Sequence, residues 1–137
     1  MTRLRAFWRS CKAELDEAAL ALPVILLVSL GLINLTLFGT AAVNAANAAN
    51  YGARMGSMAQ ANPLGYAVSA ANQKLGALPV GEYAISTGGS TVAGGVMWVR
   101  VEYRVPNYFR GLAGMFGVSA PPTLSGQVTQ YFRREGW

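Results

Sequence analysis

Side chains able to do acid–base, nucleophilic or metal chemistry are scarce and poorly grouped in this chain. It has no histidine and a single cysteine, Cys11, so neither an internal disulfide nor a His/Cys metal cluster can form within it. Carboxylates stand together just before a long apolar run (Asp16, Glu17) or singly far downstream (Glu82, Glu102, Glu135). Asp16 and Glu17 are adjacent, so on a helix they point in different directions and cannot share one proton. The stretch "GGSTVAGG", residues 88–95, lacks the lysine that a phosphate-cradling loop needs and reads as a hairpin turn. No catalytic residue, no cofactor and no metal ligand is expected, and the chain reads as a non-enzyme without a small-molecule substrate.

Composition points the same way. In 137 residues only 12% are charged, and the mean hydropathy is +0.30, values of a membrane-associated chain rather than a soluble enzyme. The apolar N-terminal third leaves fewer than about 90 residues for a water-soluble module, enough for one small domain. The net charge of +5 rests on 11 basic residues and reflects scarce acids. No dense Lys/Arg face interleaved with aromatics is present, so no nucleic-acid partner is expected.

From Ala18 to Gly39 no residue is charged. As a helix rising ~1.5 Å per residue this stretch is about 33 Å long, against a hydrocarbon core of roughly 30 Å. Signal-peptide apolar regions are shorter, about 7 to 15 residues, and the small-residue site Val43-Asn44-Ala45 lies too far along for an ordinary leader. A single transmembrane helix over 18–39 and contact with the lipid bilayer are therefore expected. Arg3, Arg5, Arg9 and Lys12 precede the run and Arg54 is the next basic residue after it, which places the N-terminus, 1–17, in the cytoplasm and the C-terminal part outside. Pro23, early in the helix, removes one backbone hydrogen bond and crowds the carbonyl of Ala19, so a loosened turn is expected there.

The helical pattern continues beyond the apolar run. Residues 40–62 are dense in alanine and free of proline until Pro63, so one helix from Asp16 to about Ala61 is expected, its second half exported. Ala41, Ala45, Ala49 and Ala53 recur every four residues, a stripe that admits close approach of another backbone. That stripe packs either on the chain's own C-terminal sheet or on neighbouring subunits. Asn44, Asn47 and Asn50 form a polar row beside it. Asn34, costly if it faces lipid, bonds either to a partner or within its own helix.

Residues 63–137 form a small β-rich head, opening with a loop or short helix over 64–78. In "VMWVRVEYRV", 96–105, Met97, Val99, Val101, Tyr103 and Val105 alternate with Trp98, Arg100, Glu102 and Arg104, a half-buried strand. "EYAIST" (82–87) and "TLSGQVTQYF" (123–132) supply two partner strands. The loop 106–122 is apolar, with Tyr108, Phe109, Leu112, Met115 and Phe116, so it is either tucked under the sheet or offered to a membrane or partner. The expected class is an α+β membrane protein in which one long N-terminal helix packs on a three-stranded antiparallel sheet.

The segment Glu17-Ala18-Ala19-Leu20-Ala21-Leu22-Pro23 resembles the N-terminal signature of the TadE-like minor pseudopilins of tight-adherence pilus systems. "AANYGARMG" at 48–56 is similar to their Ala-rich helix, and "VRVEYRVP" followed by "PTLSGQVTQYFRREGW" is similar to their closing strands. The resemblance implies a non-enzymatic pseudopilin-like subunit that assembles or initiates a pilus or secretion apparatus. It implies a single pass through a bacterial inner membrane and other membrane subunits as partners. Glu17 would be the assembly carboxylate; Pro23, Asn34, Ala41, Ala45 and Ala49, singled out above by helix geometry and spacing, are the other expected assembly contacts. Prepilin-type processing would fall between Lys12 and Ala13, where this chain has lysine in place of the glycine such a peptidase wants. The alternative is an accessory subunit of another membrane complex, gripping its partner through the span and the 106–122 loop.

Overall fold

The computed structural model describes the backbone of residues 2–76 and 80–135, and within these the side chains of residue 19 and of residues 21 onward. Helix α1 runs Thr2–Met58 without interruption at Pro23. It begins earlier than the expected Asp16, since residues 2–15 contain neither glycine nor proline and are rich in Arg, Leu and Ala. It also ends three residues before the expected Ala61, because Asn62 adopts the left-handed region at φ 48°. In that conformation the Asn62 side chain accepts a hydrogen bond from the Gly65 N–H at 3.1 Å. Pro63 supplies a first helical position that needs no donor, and α2 follows over Pro63–Leu75, the helical alternative for 64–78.

Three strands form an antiparallel meander in the order β1 (Glu82–Gly89), β2 (Val96–Pro106), β3 (Thr123–Arg133). Val101 of β2 stands opposite Ile85 of β1 and Val128 of β3, and Met97 opposite Phe132. A further helix, α3 (Phe109–Met115), lies between β2 and β3 in the stretch read from sequence as a loop. Its short length and two internal glycines hide a helical period.

The chain divides into two compact units. One comprises residues 35–107 and 121–137. Its core is two-layered: Met97, Val99, Val101, Tyr103 and Val105 turn the buried face of β2 toward Ala41, Ala45, Ala49 and Ala53 of α1 and Ala67, Ala71 and Leu75 of α2. Fully burying a side chain such as Val99 or Val101 contributes about 1.5–3 kcal/mol. The alanine stripe therefore packs on the chain's own sheet, where a methyl group is all the space allows. Phe38 fills the end of this layer, its ring 5.3 Å from that of Tyr103.

The two helices of this unit meet at a seam of small residues. A Cβ on Gly52 would stand 2.7 Å from the Ala67 carbonyl oxygen, and one on Gly56 would stand 2.9 Å from the Ala67 Cβ. Backbones this close exclude any larger side chain. At the end of the sheet Arg134 ties the hairpin to the helical turn: its guanidinium donates to the carbonyls of Gln60, at 2.6 Å, and Thr91. The Glu135 N–H adds a bond to the Ser57 carbonyl at 3.1 Å.

The second unit comprises residues 1–34 and 108–120, the first part of α1 with α3 and its return. On α1 the side chains of Leu22, Val24, Ile25, Leu26, Leu27, Val28, Leu32 and Ile33 are all exposed. Consecutive positions on a helix face every direction, so these residues form an apolar surface around the whole helix.

Candidate functional site

Within the second unit, Asn34 is the buried polar side chain of an otherwise apolar helical surface, with 7% of it exposed. An uncompensated amide there would cost a few kcal/mol, about 1–3 by mutational measure. Its Oδ1 accepts the backbone N–H of Tyr108 at 3.1 Å. Tyr108 is the N-cap of α3 and makes no side-chain cap of its own, so the acceptor that quiets this helix end comes from α1. Ala113 is buried on the inward side of α3, while Tyr108, Met115, Phe116 and Val118 are exposed. Asn34 Oδ1 thus bonds to another element of the same chain.

Within the first unit a groove of about 620 Å³ runs beside the alanine face. Asn44, Asn47, Asn50, Tyr51 and Arg54 line it from α1, and Gln73 and Lys74 from α2. The Lys74 ammonium stands 5.4 Å from the centre of the Tyr51 ring, a cation–π distance. The spacing of three that defines the asparagine row sets it on one side of α1 while the alanines face the sheet. Amides, a phenol and two cations, with no carboxylate in the lining, make a hydrogen-bonding surface; nothing in it pairs a nucleophile with a base.

The outer face of the sheet is solvated. Arg100 lies over the Trp98 ring at 5.1 Å and donates from Nε to Thr129 Oγ1 at 3.2 Å. Glu82 pairs in register with Arg104, and Glu102 with Ala84 and Gln127. Among the described residues no group of three or more His, Cys, Asp or Glu side chains could hold a metal ion.

The residues singled out from sequence fall into three sets. Ala41, Ala45 and Ala49 are core residues with no exposed surface. Asn34 is bonded to Tyr108, beside the half-buried Phe109 and Leu112 and the exposed Met115 and Phe116 of α3. Pro23 is half-buried within α1; the side chains of Lys12, Ala13 and Glu17 lie outside the described residues. Sequence reading missed the Gly52/Gly56 seam, whose signal was the repeat of small residues at spacing four, and the Arg134 clasp, which had no local signal. Compared with known proteins, the chain matches no family model, and no curated protein or solved structure matches it significantly.

Proposed function

We propose that this chain is a non-enzymatic, single-span, pseudopilin-like subunit that takes part in assembling or initiating a tight-adherence-type pilus or secretion apparatus. One observation carries the reading: the two parts of α1 differ in what covers them. The stretch Ala21–Met58 is long and apolar enough to cross a membrane, residues 22–33 of it are apolar and mostly exposed, and the part from Ala41 onward packs on a small α+β layer of the same chain. A chain that must hold a folded unit beside a bilayer while offering its anchor helix to neighbouring helices has this division. The Glu17-to-Pro23 register supports the pilus assignment, with Glu17 at the membrane edge, where a carboxylate keeps access to water and to a neighbour's cationic group.

In this reading the N-terminus is cytoplasmic and the sheet is on the far side of an inner membrane. Photocrosslinkers placed singly at Leu26, Leu27 and Ile33 in native membranes should capture other subunits of a pilus or secretion system. Adducts with lipid alone would overturn the assembly role. Capture of an unrelated membrane complex would favour the accessory-subunit reading.

A further inference from the structure

Residues 108–120 carry one charged side chain, Arg110, and no acid. Met115, Phe116 and Val118 project from this segment with 81%, 60% and 58% of their surface exposed. The backbone donors of the turn after α3 are nevertheless satisfied within the segment. The N–H groups of Phe116 and Val118 donate to the Ala113 carbonyl at 3.1 and 2.9 Å, and that of Gly117 to the Gly114 carbonyl at 3.1 Å. Internal satisfaction is what a non-spanning segment needs before it can leave water for an apolar medium.

The level at which α3 sits follows from Asn34. Its bond to Tyr108 sets the first turn of α3 beside residue 34 of α1. Residue 34 lies about 7.5 Å, at ~1.5 Å per residue, before Gly39, where the stretch taken as the span ends. Interfacial segments lie with their apolar side about 5–10 Å into the boundary between headgroups and acyl chains. With a span ending at Gly39, as proposed above, the hydrogen bond places the start of α3 within that range. The exposed apolar side chains of α3 and those of α1 belong to the same compact unit.

We infer that α3 and the turn after it form a second membrane contact, lying in the interface on the C-terminal side of the span. Met115, Phe116 and Val118 enter the acyl region, and Tyr108 and Arg110 reach the headgroups. An aromatic hydroxyl and a long cationic side chain suit that layer because each has an apolar body and a polar tip. The inference rests on α1 crossing the bilayer as proposed above. Asn34 is then the residue that holds a lipid-facing element at its depth.

The test uses the full chain with Cys11→Ser, reconstituted in phosphatidylcholine/phosphatidylglycerol vesicles and carrying one fluorescent thiol label. The label is placed at Met115→Cys, at Leu26→Cys in the span or at Ser125→Cys on the outer sheet face. Quenching is read with lipids doxyl-labelled near the headgroup, with lipids doxyl-labelled deep in the acyl chain, and with aqueous iodide. The Met115 label should be quenched by the shallow doxyl lipid and severalfold less by iodide than the Ser125 label, at every lipid-to-protein ratio. Adding Asn34→Leu should restore iodide access at position 115 while leaving the Leu26 label protected.

A Leu26 label protected by lipid beside a Met115 label as open to iodide as Ser125 overturns the inference and spares the span. A Leu26 label that no doxyl lipid quenches overturns the span itself. Protection at position 115 that disappears as lipid is added in excess identifies a second copy of the chain on this patch and overturns the inference.

Discussion

Asn34 illustrates how one atom can organise a segment far away in sequence. Its side chain answers a partly buried backbone donor at the start of α3; a fully buried donor left without an acceptor would cost about 1–3 kcal/mol, an upper bound here. Asn34→Ala should therefore release α3 without unfolding the sheet. Hydrogen exchange should show lost protection at Tyr108 and Val118 and unchanged protection along β2; equal protection in both would mean that the bond does not hold α3. Asn34 was visible from sequence as an anomaly, a carboxamide in a lipid-length apolar run. Its partner was not visible, because a backbone N–H carries no side-chain signature and lies more than seventy positions away.

At the level of elements, the alternating strand β2 was fully legible: Met97, Val99, Val101, Tyr103 and Val105 are buried, and Glu102 and Arg104 exposed, as period two requires. The α1–α2 pairing was not legible, because alanine and glycine at spacing four suit an intramolecular seam and an intermolecular one equally well. Here the seam is internal, with Gly52 and Gly56 set against Ala67 and Ala71. Gly52→Leu would drive a branched side chain into the Ala67 carbonyl and should destabilise this unit by about 1–3 kcal/mol or more. Thermal unfolding followed by far-ultraviolet circular dichroism should show a midpoint several degrees lower. An unchanged midpoint would show that α2 can move away at no cost. Solvent-exposed Gly111, with no neighbour within reach of a Cβ, provides the contrast: Gly111→Ala should leave the midpoint unchanged or slightly raised.

For the whole molecule, the proposed topology makes one direct demand: the sheet and the N-terminus lie on opposite sides of a membrane. In intact cells made permeable only in the outer envelope, Ser125→Cys in a Cys11→Ser background should react with a membrane-impermeant maleimide, while native Cys11 in the parent chain should not. Reaction of both before the inner membrane is broken would overturn the single span. Length, scarcity of charge, the apolar run and the flanking basic residues all read out locally, so the long helix and the three-stranded α+β class follow from sequence alone. Which surfaces meet was decided only by the tertiary structure. The alanine face went to the sheet because β2 presents β-branched side chains that need a shallow partner, and Asn34 went to α3 because a buried amide must find a donor. The start of the short helix inside the apolar loop carries that bond, and no local period in its residues could have shown it.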